Sequence, residues 1–139
     1  MKIFTATKAF IFHKGKMLII RESKKYEDST SDGLYDVVGG RVEPGQSFSE
    51  SLLREIKEES GLTDIKIGRP FYVSEWRPTV RGEEWQIIGI FFICESGSEE
   101  VTLSKDHDDY KWIDPKNYKD YNIIPNLHKV FESYLELKS

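Results

Sequence analysis

Residues 54–59 read Arg-Glu-Ile-Lys-Glu-Glu. On a helix each residue turns about 100°, so with Glu55 at zero, Glu58 falls near −60° and Glu59 near +40°. Three carboxylates thus share one face. On the same scale Phe48, Leu52 and Ile56 lie at about 20°, 60° and 100°, and the acidic face overlaps the edge of an apolar stripe. Like charges three and four residues apart cost roughly 0.2–0.5 kcal/mol per pair on an exposed helix, and more where water is partly excluded. Arg54 reaches Glu50 and Glu58 at four-residue spacing, but it stands about 100° from Glu55 and does not neutralise the whole group. A divalent cation would. All-oxygen donors suit Mg²⁺ or Mn²⁺. Mg²⁺ commonly takes one or two carboxylates, keeps waters and completes its shell with phosphate oxygens. A solvated, salt-bridged helix face produces the same spacing, so spacing alone leaves both readings open.

This helix needs a start, a stop and a sheet behind it. Ser47 with Glu50 three residues on forms a capping box, and Gly61 suits the left-handed position after a helix end. Residues 39–45, Gly-Gly-Arg-Val-Glu-Pro-Gly, lead in as a glycine-rich loop. Residues 8–13 and 16–21 read as a hairpin around Lys14-Gly15. A polar loop over residues 27–33 ends in the turn signal Asp32-Gly33, and residues 34–38 follow as a short strand. Ile65, Ile67 and residues 71–76 suggest one strand region interrupted near Gly68 and Pro70. Pro78 and Gly82 mark a turn. Residues 85–94 predict a strand buried on both faces, and residues 110–113 another short strand. Pro125 fits the first turn of a last helix, whose apolar face is Leu127, Val130, Phe131, Tyr134 and Leu135. Strands, helix, strands, helix implies a mixed sheet covered by helices.

Composition narrows the function. The 139 residues fit one domain, 1–139, with 38% hydrophobic and 32% charged residues, an ordinary globular balance. A net charge of −4 argues against an electrostatic grip on a nucleic acid polymer. The lone Cys94 leaves no intrachain disulfide. The apolar run at 87–94 is far short of the ~18 residues that suggest a membrane span, and no secretory signal is visible. These features point to a cytoplasmic, reduced protein.

Gly40, then Arg54-Glu55-Ile56, Glu58-Glu59 and Gly61-Leu62, resemble the Nudix box at the right spacing. Of its nine specified positions only one departs: Gln46 stands where the box has its first glutamate. Tyr35 and Val38 replace a common tryptophan and proline before the double glycine, while residues 106–112 resemble a segment found after the central strands of many members. The resemblance implies an α/β/α sandwich that cleaves a nucleoside diphosphate linked to another moiety, by water attack at phosphorus with Mg²⁺ or Mn²⁺. By the same resemblance Glu55, Glu58, Glu59, a Gly40 carbonyl and Asp106 are metal ligands. Arg54 orients the glutamates, and Glu55 or Glu58 supplies the base, with Asp106 a further candidate. Gln46 still offers Arg54 a hydrogen-bond acceptor but no charge. The short chain leans toward a MutT-type nucleoside triphosphate pyrophosphohydrolase releasing a monophosphate and pyrophosphate. The alternatives are an ADP-ribose or nucleotide-sugar pyrophosphatase, a dinucleoside polyphosphate hydrolase, and a Nudix-fold sensor that binds nucleotide without cleaving it. A bland acidic-helix interaction domain is the remaining alternative. The partner in the leading reading is a small nucleotide, with no membrane and room for a homodimer.

Other residues carry weaker signals. Arg21, Arg77 and Arg81 suit phosphate by bidentate pairing, with Arg21 and Arg77 the chosen substrate contacts. Glu43 reads as a solvated loop residue and His107 as hydrogen-bonded. Trp76, Trp85, Tyr72 and Phe91 either stack on a base or pack in the core. Cys94 reads as an inert core residue. Residues 39–45 are no P-loop, because no lysine follows in the required place.

Overall fold

Lys14 and Gly15 both take positive φ, 50° and 80°, and turn the chain between β1 (Lys2–His13) and β2 (Lys16–Glu22). The computed structural model describes residues 1–23 and 33–139. The expected polar loop of residues 27–33 lies outside the described residues except for Gly33, as does Asp32 of the turn signal. Gly33 has φ 74°, a turn conformation.

β3 (Tyr35–Asp36) pairs with β2, whereas β4 (Val38–Arg41) pairs with β1. The single strand expected at 34–38 is therefore divided. The chain leaves one partner and joins another at Val37, and Gly39 and Gly40, expected in a loop, are strand residues opposite Lys8 and Thr7. Helix α1 (Phe48–Ser60) follows with both halves of the expected capping box: the Glu50 amide donates to Ser47 Oγ at 3.1 Å and the Ser47 amide to Glu50 Oε1 at 3.2 Å. Gly61 ends it at φ 75°.

β5 (Ile65–Trp76) carries its expected irregularity as register shifts around Pro70. β6 (Thr79–Val80) and β7 (Glu83–Ser96) complete a ribbon with it, and β8 (His107–Ile113) pairs with β2. The central order is β3-β2-β1-β7-β5. β1 and β7 run parallel from Lys2 opposite Trp85 to Phe12 opposite Glu95. That pairing extends β1 six residues upstream of the expected start at residue 8. Short 3₁₀ turns, Pro115–Asp120 and Pro125–Leu127, lead into α2 (His128–Lys138).

Side chains alternate across β1, sorting the core into two layers. Phe10 and Phe12 pack with Phe131 and Tyr134 of α2 on one face. Ala9 and Ile11 pack with Leu52 and Ile56 of α1 on the other. The result is the expected α/β/α sandwich around a mixed sheet. Two expectations on burial change. Phe48 overhangs the helix start, 52% exposed, stacked on Phe92 instead of joining Leu52 inside. β7 is deeply buried only from Gly89 onward, and residues 85–88 are partly exposed beside an open cavity. Among the described residues no helix is long and apolar enough to cross a membrane.

Candidate functional site

The crossing at Val37 creates the site. It leaves Asp36 on one strand, opposite Ile20 of β2, and Gly39 on the next, in register with Lys8 of β1. Lys8 Nζ lies 3.2 Å from Asp36 Oδ2, and the lysine side chain is only 12% exposed. Burial alone would lower the Lys8 pKa, but the attraction of Asp36, Glu59 and Glu55 outweighs it and raises the ammonium above the ordinary lysine value.

Helix α1 supplies the carboxylates. Glu59 Oε1 accepts the Gly39 amide proton at 3.0 Å. Burial is the largest influence on its acidity and pushes the pKa up to about 8. Lys8 and the Gly39 amide oppose that rise, and Glu55 and Asp36 add to it. The Glu55 side chain is 16% exposed and Glu58 59%, so the helix turns Glu55 and Glu59 inward and leaves Glu58 at the rim. Burial raises the Glu55 pKa, Arg54 counters it, and Glu58 reinforces it. Arg54 Nη1 contacts Glu55 at 3.2 Å and Glu58 at 3.4 Å, while its Nε donates to Gln46 at 3.3 Å. Gln46 therefore keeps the acceptor role expected of it, also taking the Ser51 hydroxyl proton at 2.9 Å. Arg54 Nη2 is buried without a hydrogen bond and faces Glu43, a largely exposed loop residue, at 4.0 Å.

Gly40 has a steric reason. A Cβ built there would come within 2.7 Å of the Glu55 carboxylate. The backbone is in an ordinary strand conformation, and the obstructed atoms are the free end of a side chain. Gly40→Ala should therefore change stability by only about 0.5 kcal/mol, while displacing that carboxylate and lowering metal-dependent turnover at least about tenfold. Thermal melts beside steady-state kinetics check this; unchanged turnover would remove the role of the close approach.

Two cavities open here. The smaller, about 180 Å³, is walled by Glu59, Asp106, His107, Gly39, Asp36 and Lys8. The larger, about 460 Å³, lies beside it and is aromatic, with Trp76, Trp85 and Phe91 in its wall. Lys8, Glu22 and Asp36 belong to both and form their junction. Asp106, just before β8, thus shares a cavity wall with Glu59 of α1, although the two are distant in the chain. His107 Nδ1 lies 3.3 Å from Ser104 Oγ, and burial lowers its pKa. Neither Arg21 nor Arg77 lines these cavities. Arg21 Nε holds Asp108 at 2.7 Å, and Arg77 holds Glu75 at 3.1 Å. Cys94 is fully buried, its thiol pushed up to about 12 by burial.

Among the described residues no three acidic or histidine side chains converge closely enough to enclose a cation alone. The donor set still fits a hard cation. Glu55 is held against a glycine where any other residue would crowd it, and Glu59 is an ionisable oxygen donor whose charge burial opposes. Mg²⁺ asks the protein for only one or two carboxylates. Lys8, Asp36 and Glu22 were not singled out from the sequence. One signal was present: Lys8 is a lone charge just before the apolar stretch Ala9, Phe10, Ile11, Phe12.

Comparison with known proteins agrees with this architecture. The family described as NUDIX domain matches residues 4–134. Nucleoside triphosphatase NudI of Escherichia coli (strain K12) is 35% identical over 100 residues, covering 66% of this chain and 69% of that protein. The crystal structure of a MutT protein from Methanosarcina mazei Go1 superposes with a TM-score of 0.81 at 27% identity, covering 99% of this chain and 97% of the other. The NUDIX domain of Shewanella oneidensis NrtR, solved with ADP ribose, shares the fold at a TM-score of 0.72 and 13% identity, covering 99% and 88%.

Proposed function

The chain belongs to the Nudix family of hydrolases, and from that premise we propose that residues 1–139 form one catalytic domain that hydrolyses nucleoside triphosphates to a monophosphate and pyrophosphate. The observation that carries this is the junction of an acidic cavity with an aromatic one at Lys8, Asp36 and Glu22. A ligand filling both has a flat ring at one end and a polyanion at the other, which describes a nucleotide. The ring enters the larger space. The phosphates lie over the acidic one, beside Lys8.

Anionic phosphates facing carboxylates require a cation between them. We assign Mg²⁺, with Mn²⁺ as a substitute, to Glu55, Glu58, Glu59, the Gly40 carbonyl and Asp106. When bound, such an ion neutralises phosphoryl charge and lowers the pKa of water at phosphorus. The remaining work falls to the chain. Arg54 fixes the direction of Glu55 and Glu58 through the contacts at 3.2 and 3.4 Å. Glu55 or Glu58 takes the proton of the attacking water as a phosphorus–oxygen anhydride bond breaks and pyrophosphate leaves. Lys8 holds a phosphate oxygen at the junction, a point-charge role to which lysine is suited. Arg21 and Arg77 line neither cavity, whereas Lys8 lines both, so the main phosphate contact is assigned to Lys8. The relatedness to a protein named nucleoside triphosphatase supports a nucleoside triphosphate substrate over the other classes.

The test is product identification by mass spectrometry. The purified protein is incubated with nucleoside triphosphates, ADP-ribose, nucleotide sugars and dinucleoside polyphosphates, with and without Mg²⁺. Metal-dependent monophosphate and pyrophosphate from a triphosphate is the expected result. A nucleotide-sugar or ADP-ribose product would redirect the substrate, and silence across the panel despite nucleotide binding would favour a sensor.

A further inference from the structure

The geometry points to Trp76 as the stacking platform for the nucleobase, with Gly89 as the seat that sets the platform's depth. This rests on the nucleotide reading above. Ala6 of β1 is in register with Arg41 of β4 and with Gly89 of β7, and Gly89 with Ser74 of β5. Cross-strand partners share a face. Three small residues in a row therefore cut a trough across the sheet on the cavity side. The Trp76 indole lies in that trough: a Cβ built on Gly89 would sit 2.6 Å from its Cζ3 and 2.7 Å from its Cη2. The ring edge passes close over the Gly89 main chain and forms part of the cavity wall.

Trp85 plays a different part. Its Nε1 donates to Glu83 at 2.6 Å, and its ring meets Phe4 at 4.7 Å and the Arg41 guanidinium at 5.0 Å. That indole is tied at its polar end and packed against two neighbours, so it serves as a fixed wall. Trp76 instead offers a half-buried ring in a space of about 460 Å³, with Lys8 on the phosphate side. Stacking on an indole is tolerant of base identity, because every base has a π-face. Trp76 thus supplies affinity for the nucleoside as a class. Ser74 and Asn126, polar groups in the same wall, are placed to meet the base edge. If Trp76 were only a packing residue, its loss would change stability without separating nucleoside binding from phosphate binding.

The experiment is isothermal titration calorimetry of the full chain with Mg²⁺, using three probes: α,β-methylene ATP, α,β-methylene dCTP and inorganic tripolyphosphate. Trp76→Leu keeps apolar bulk but removes the π-face. It is expected to weaken whichever methylene nucleotides the wild type binds about tenfold, or about 1.4 kcal/mol, and to leave tripolyphosphate unchanged. Trp76→Phe should restore most of the loss. Gly89→Ala should mimic Trp76→Leu by lifting the ring from its seat, and it provides an independent variant if the leucine form is unstable. Equal effects on nucleotides and tripolyphosphate, or no effect on either, overturn the assignment while nucleotide binding by the wild type stands. A wild type that binds nucleotides no tighter than tripolyphosphate overturns the nucleotide reading itself.

Discussion

Glu59→Gln is expected to abolish metal-dependent hydrolysis and, in the same protein, to raise the stability of the metal-free fold above pH 7. Both effects follow from burying one ionisable oxygen. Burial pushes the Glu59 pKa from 4.5 to about 8, so the metal-free folded state binds a proton that the unfolded chain has released. Stability from this group is complete below about pH 4.5 and is lost progressively as pH rises to about 8. The full shift would correspond to a few kcal/mol, at about 1.4 kcal/mol per pKa unit. Glutamine keeps the shape and the acceptor for the Gly39 amide, 3.0 Å away in the native chain, and carries no charge. The variant's stability should therefore be flatter with pH and should exceed the wild type's at pH 8 without metal. Metal reverses the order, because a carboxylate ligand must lose its proton to bind. Wild type should gain stability from Mg²⁺ increasingly as pH rises, and Glu59→Gln should gain little. Turnover should fall by more than the roughly 10–100-fold typical of losing a second-shell partner. Thermal melts from pH 5 to 9, with Mg²⁺ and with chelator, check the stability claim, and kinetics check the activity claim. Wild-type turnover in the variant would place the metal elsewhere.

The inward place of Glu59 on a capped helix was legible in the sequence because its signal is local. Helical periodicity, the Ser47–Glu50 cap and Gly61 all lie within one short segment, and the caps formed as expected. Gly40 was legible as a motif position. Its reason was not, because the Glu55 carboxylate reaches it only once α1 folds back on β4. Lys8 and Asp36 were missed for a related reason. They lie 28 residues apart, and the switch of the chain from β2 to β1 at Val37 is what brings them to 3.2 Å. The carboxylate partners of Arg21 and Arg77 were hidden as well. A guanidinium suits phosphate by type, but a sequence does not reveal the carboxylate that holds it, Asp108 across the sheet or Glu75 two residues back. The upstream half of β1 was hidden because its partner, β7, is parallel and far along the chain. Phe48 followed the apolar stripe in azimuth, yet it stands too near the helix start to be covered and remains 52% exposed.

Replacing Lys8 should have the largest effect on the fold. Its ammonium is a positive charge facing Asp36, Glu59 and Glu55, the last shared with Arg54, and the attraction of the three outweighs the cost of burying it and raises its pKa. Lys8→Met keeps the apolar stem and removes the charge. Truncating one member of a buried ion pair typically costs about 3–5 kcal/mol, since the other charge is left uncompensated. The carboxylates can limit this loss by holding protons. Glu59, whose raised pKa Lys8 opposes, would do so over a higher pH range in the variant, so the native state would bind more protons than the unfolded chain. Stability then falls with rising pH. The penalty should be small near pH 5 and approach its full size near pH 8, the opposite of what lost packing alone would give. Lys8→Met combined with Asp36→Asn removes one of the orphaned charges and should recover part of the loss. Mg²⁺ should stabilise the single variant more than it does the wild type, because the ion then supplies the missing positive charge. Kinetics separate the second role proposed for Lys8: loss of a phosphate contact should raise KM for the substrate even where saturating Mg²⁺ has restored the fold. Urea denaturation of the single and double variants at pH 5 and pH 8 decides the electrostatic claim. An equal penalty at both would make Lys8 a packing residue and return the junction of the two cavities to Asp36 and Glu22.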